Sequence, residues 1–231
     1  MDKGVLEMTF LDVLKRRHNF KYFNLKECPK KEVIEEILKE ALLITPIKND
    51  VWHFEIEVFG PEHAEEKKKL CLRTLADMDV VDEYKKGGPK EKKIDELEKL
   101  YEEREEDFNV QVRAPYLLVY KLFPYKHSPN REEFGKKKKY KIDNNVAAIG
   151  AGMHGYAVSI LANEKGIDAS FCNCFFNNDF SSNYIMNVEK DFYFFLGLGY
   201  KDGGKHNFTL ESYLRHKEKE KPNLDDVVRW K

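Results

Sequence analysis

Four cysteines, two tryptophans and a formal net charge of -1 mark what this 231-residue chain has little of. With 40 Lys and Arg against 41 Asp and Glu, it has no global field to attract nucleic acid, so any anion site must come from local clustering. The pair Cys172 and Cys174 supplies too few ligands for a structural zinc site by itself, and Cys28 and Cys71 stand far from any partner in sequence. Cysteine between apolar neighbours reads best as a buried packing residue. No run reads as long and apolar enough to span a bilayer, and residues 1–4 lack the apolar stretch of a secretory signal. The expectation is a cytoplasmic protein with reduced thiols and no membrane partner. Also missing are a G-x-G-x-x-G turn, a phosphate loop ending in G-K-[ST], an H-E-x-x-H helix and a G-x-S-x-G elbow. Seven histidines are scattered without metal spacing, and His18 and His53 read as surface or packing residues.

Apolar and aromatic residues are plentiful: the hydrophobic fraction is 42%, with 16 Phe and 12 Tyr, enough for a packed core. Residues 29–44 predict an amphipathic helix with Val33, Ile34, Ile37, Leu38, Ala41 and Leu42 on one stripe. Pro29 suits its first turn, and Thr45-Pro46 ends it. Residues 51–59 alternate, with Trp52, Phe54, Ile56 and Val58 on the buried side of a strand. A charged helix is predicted over 62–78 and a buried strand over 114–122. Residues 143–165 predict a central helix, apolar nearly all round. Gly150, Gly152 and Gly155 make sense there where something packs closely. Gly166 stops it, and strands follow over 167–176 and 192–200. The alternation fits one mixed domain over 1–231, a sheet wrapped by helices. It carries a charged, peripheral helical excursion at about 82–107 and a lid-like loop at about 123–140. Lys136 to Lys139 in that loop read as a solvated face.

Three basic or amide-rich segments remain. Arg16 to Phe23 (RRHNFKYF) follows a short amphipathic stretch, and its local reading is solvated surface charge. Residues 45–52 (TPIKNDVW) join helix to strand. Residues 215–222 (RHKEKEKP) lie near the C-terminus. Arg, Lys and Asn together can hold an anionic group against a fold.

The order of these segments around an Ala/Gly-rich helix resembles the nitroreductase family of FMN-dependent flavoproteins. Arg17, His18, Asn19, Phe20, Lys21, Tyr22 and Phe23 are similar to its R-[RH]-S-x-[RK]-x-F motif, with Asn19 in place of Ser. Pro46 to Trp52, including Asn49, resembles its P-S-x-x-N-x-Q-P-W loop, one residue shorter up to the Asn and without the Gln-Pro before Trp52. Leu196 to Tyr200 (LGLGY) resembles its last core strand, and Lys219 to Pro222 its phosphate-binding tail. The resemblance implies an α+β fold with a mostly antiparallel central sheet and a homodimer built on the central helix. It implies FMN held by Arg17, His18, Asn19, Lys21, Asn49, Lys219 and Lys221, with the reactive ring edge beside Asn173 and Cys174. NADPH or NADH would donate electrons to a small-molecule acceptor such as a nitroaromatic or quinone. Two other readings stand beside it. One is a flavin-binding or scaffold protein of this fold without turnover. The other is a nucleic-acid binder using the lysine clusters.

Overall fold

Among the described residues, four antiparallel strands in the order β1-β2-β4-β3 carry the fold, and helices cover both faces of the sheet. The computed structural model describes residues 12–14, 20–47, 52–72, 94–105, 108–127, 144–172, 192–203 and 227–229. In chain order the elements are helix α1 (Lys31–Ile44), strand β1 (Trp52–Phe59), a short 3-10 turn (Pro61–His63) and helix α2 (Ala64–Cys71). Helix α3 (Ile94–Glu103), a second 3-10 turn (Val110–Arg113), β2 (Tyr116–His127), helix α4 (Asn144–Glu164), β3 (Asp168–Cys172) and β4 (Phe192–Gly199) follow.

Alternation on β2 and β4 sorts the core into two layers. Leu118, Tyr120, Leu196 and Leu198 face α1 and α4 together with Phe54 of β1. Leu117, Val119 and Phe195 face α2, the second 3-10 turn and Tyr101 of α3. On α1 the stripe buries Ile34, Ile37 and Ala41, while Leu42 is exposed. The helix starts at Lys31 with Lys30 as its cap, so Pro29 precedes the helix and is not in its first turn. Val58 also departs from the expected pattern, because it lies near the open end of the edge strand and is 39% exposed.

Strand β2 continues through 123–127, which the sequence assigns to a loop. Pairing explains the extension. Among the described residues β4 pairs with β2 only as far as Lys121, while β1 continues through Phe54 opposite Leu122 and Trp52 opposite His127, and on such a one-sided stretch the missing N–H of Pro124 is tolerated. The rest of the expected lid, 128–140, lies outside the described residues. So do 73–93, most of the charged excursion. Within its described part Tyr101 is a core residue, not a peripheral one. It meets Phe108 edge-on at 5.3 Å.

Helix α4 is long and apolar enough by composition to cross a bilayer, contrary to the sequence reading. Here that apolarity is used for packing on all four strands and on α1. Gly155 is needed: a Cβ there would sit 2.7 Å from the Phe194 ring. At Gly152 a Cβ would meet nothing within 4 Å. Gly166 adopts φ 75°, the left-handed turn that ends the helix.

Candidate functional site

Lys21 is the sequence-predicted site residue that the described chain contains, and the sheet holds its neighbours in place. Asn24 N–H donates to Tyr200 O at 2.8 Å and Asp202 N–H to Tyr22 O at 3.1 Å, around an antiparallel bridge between Phe23 and Lys201. Asp168, at the start of β3, accepts the Lys201 N–H at 2.7 Å and ties this short ribbon to the sheet. Burial raises the Asp168 carboxyl and the Lys201 contact opposes it. The ammonium groups sit over rings: Lys21 5.7 Å from the Tyr22 centroid and Lys201 6.0 Å from that of Phe20.

The Gly-Leu-Gly of β4 makes room for this segment. A Cβ at Gly197 would lie 2.8 Å from the Ala114 Cβ and 3.3 Å from the Phe23 ring; at Gly199 it would meet Pro115 at 2.5 Å and Phe23 at 3.1 Å. The turn that shares the space is clamped from α2. Buried Lys67 donates to Ala114 O at 2.7 Å and Pro115 O at 2.6 Å, and burial holds its ammonium down at about 8.

Arg113 donates to the Tyr101 hydroxyl at 2.6 Å, and that hydroxyl donates to Glu105 Oε1 at 2.5 Å. Burial, helped by Glu105, raises the Tyr101 phenol. Arg113 and Lys21 both act on the buried Cys71 thiol, yet burial still pushes it up to about 12, so it stays protonated and inert. No disulfide joins Cys28, Cys71 and Cys172, the described cysteines.

The second segment lies elsewhere. Ile47 packs into the layer of α1 and α4, with its Cδ1 3.2 Å from where a Gly150 Cβ would be. Tyr22 packs into the opposite layer. The described ends of the first two basic segments therefore lie on opposite faces of the sheet, and β1 and β3 are its opposite edges. Arg17, His18, Asn19, Asn49, Asn173, Cys174, Lys219 and Lys221 lie outside the described residues. Asn173 follows directly on Cys172, the last residue of β3.

Sequence reasoning missed Arg113, Lys67 and the buried His154. Lys67 stands in a run of three lysines, and only the fold distinguishes it from Lys68 and Lys69. His154 had one signal, an imidazole inside an apolar helix. Among the described residues no cluster of metal-ligating side chains is present. The donor set is cationic and aromatic, with Lys21 over Tyr22 and Lys201 over Phe20, and its chemistry suits an anionic aromatic group such as FMN.

No protein-family model matches the chain, and no curated protein matches it. Its fold is that of the nitroreductase-like proteins. It superposes on a nitroreductase-like family protein from Bacillus cereus with a TM-score of 0.59 at 13% identity, covering 96% of each chain. A variant of an FMN- and NADPH-dependent nitroreductase from sphigopyxis sp. strain HMH gives 0.58 at 15% identity, over 96% of this chain and 99% of that one. An FMN-dependent nitroreductase from Clostridium difficile gives 0.52 at 19% identity, over 92% and 99%. The expected α+β architecture, an antiparallel sheet wrapped by helices, is the one observed.

Proposed function

We propose that the chain is an FMN-dependent oxidoreductase that works as a homodimer. One observation supports the reading: in a nitroreductase-like fold, Lys21 is anchored through 22–24 to the end of the last strand. Bound FMN would accept hydride from NADH or NADPH and pass electrons to a nitroaromatic, quinone or similar small acceptor. Arg17, Asn19 and Lys21, with His18 beside them and Lys219 and Lys221 from the tail, neutralise the phosphate and bond the ribityl chain. A backbone N–H at Asn173 or Cys174 donates to the ring edge.

The dimer has its own support. The Tyr22 and Ile47 side chains pack into opposite layers of the core, which supports a site shared between the first basic segment of one copy and the 45–52 segment of another. Helix α4 presents exposed Ile149 and Tyr156, and α1 beside it ends in exposed Leu43 and Ile44. A second copy would cover this apolar surface.

Purified protein incubated with FMN should retain the bands of oxidised flavin and lose them on adding NADPH or NADH. Bands that persist with both donors would favour flavin binding without turnover. A protein that stays colourless sinks both readings. Arg17→Ala should lose FMN far more readily than Lys137→Ala, and equal retention would count against the phosphate assignment.

A further inference from the structure

An aromatic file crosses the sheet on its α4 face. Trp52 on β1 meets Phe54 at 5.5 Å between centroids, and Phe54 meets Tyr120 on β2 at 5.8 Å. Tyr120 stacks on Phe194 of β4 at 4.3 Å, and Phe194 meets Phe171 of β3 at 5.4 Å. The file runs from a half-buried indole at one edge to a ring two residues before Asn173 at the other. In its middle, the Tyr120 hydroxyl shares a 2.9 Å hydrogen bond with His154 Nδ1, and both side chains are fully buried.

The direction of that bond follows from counting partners. His154 Nε2 has none among the described residues. If Nδ1–H donated to the phenol, the phenol proton and the Nε2 lone pair would both be unsatisfied. If the phenol donates to Nδ1, only Nε2–H is left over. The second arrangement has one orphan, not two, so Tyr120 O–H points at a basic nitrogen. That nitrogen is available across the ordinary pH range, because burial holds His154 neutral down to about 4.

We propose that Tyr120 and His154 form a proton-coupled hole trap, fed from the half-buried Trp52 by electron tunnelling past Phe54. A one-electron oxidant, either a reactive-oxygen radical or a photoexcited aromatic ring system, takes one electron and is reduced by one. The Tyr120 O–H bond breaks, and its proton forms an N–H bond at His154 Nδ1. The products are a neutral phenoxyl radical and an imidazolium. A soluble one-electron reductant meeting Trp52 restores the phenol, and the proton returns from Nδ1. Without a base, oxidation would leave a radical cation in an apolar core, which is costly. Here the oxidised phenol, a far stronger acid than an imidazolium, gives its proton to His154 across the 2.9 Å bond, so the charge ends on a closed-shell imidazolium even though burial disfavours it. Plain core packing accounts for the rings, but not for a buried His–Tyr pair whose second ring nitrogen has no partner among the described residues.

The test is flash-quench oxidation of the full chain with a ruthenium polypyridyl sensitiser and a sacrificial acceptor, read by transient absorption and freeze-quench electron paramagnetic resonance. Wild type should give a phenoxyl radical whose formation slows in D2O. The signal should be lost in Tyr120→Phe, fall to background in His154→Phe, and survive in Tyr101→Phe. The Tyr101 control matters because its hydroxyl also faces a base, Glu105. No phenoxyl signal in wild type overturns the proposal. So does a signal that survives Tyr120→Phe, or one that vanishes in Tyr101→Phe. If Tyr120→Phe does not fold, the wild-type signal, its D2O dependence and the Tyr101→Phe result still decide.

Discussion

Lys67 Nζ lies 2.7 Å from the carbonyl oxygen of Ala114, an ammonium buried under a turn that needs a donor. The same nitrogen serves Pro115 at 2.6 Å. Lys67→Met keeps the stem's packing but leaves two carbonyls unsatisfied, so we expect a loss of about 1–3 kcal/mol in urea unfolding at pH 7. The pH dependence has a definite sign. Lys67 sits at about 8 when folded, below its ordinary 10.5. Between those values the unfolded chain holds more protons on this residue, so raising the pH favours the fold at this site. The advantage of wild type over Lys67→Met should grow from pH 8 upward. An advantage that shrinks there would mean the ammonium itself is what the turn requires.

Gly199→Ala places a methyl group against Pro115 and the Phe23 ring. Neither neighbour can leave cheaply, since Pro115 belongs to the clamped turn and Phe23 is buried. A loss of about 1–3 kcal/mol is expected from overpacking. Retention of FMN should fall as well, because the displaced segment carries Lys21. A crystal structure of the variant with 22–24 unmoved would contradict the coupling.

His154 gives the acid limb of stability. Burial lowers its folded value to about 4 from 6.5. Below 6.5 the unfolded chain takes up a proton that the folded one refuses, so stability falls as pH drops toward 4. The contribution at stake is on the order of 3 kcal/mol. Urea midpoints of wild type and His154→Phe, compared at pH 7 and pH 4.5, should differ in slope. Parallel profiles would show that His154 does not govern the acid limb.

Ile149→Glu combined with Tyr156→Glu puts two carboxylates on the exposed apolar face of α4. Sedimentation velocity at micromolar concentration should show a dimer for wild type and a monomer for the double variant, because an interface tolerates unpaired buried charge poorly. A monomeric wild type would remove the basis for a site shared between two chains.

Period and punctuation were legible in the chain alone. The amphipathic stripe of α1, the Thr45-Pro46 stop, the alternation of β1 and the Gly166 turn are local effects of side-chain spacing and backbone freedom; the fold keeps the stop and the turn whole, and the stripe and the alternation except at Leu42 and Val58. Of the candidate site, Lys21 stood out by residue type, and the fold supplies its anchor. What tertiary structure decided is which of several equivalent residues is buried. Lys67 and Lys68 are chemically alike, yet one clamps a turn from inside the core and the other pairs with Glu98 at 2.9 Å near the surface. The length of β2 depended on how far β1 runs beside it, which no local pattern in 123–127 encodes. The separation of Tyr22 and Ile47 onto opposite faces likewise depended on strand order, because a face is a property of the assembled sheet and not of either segment.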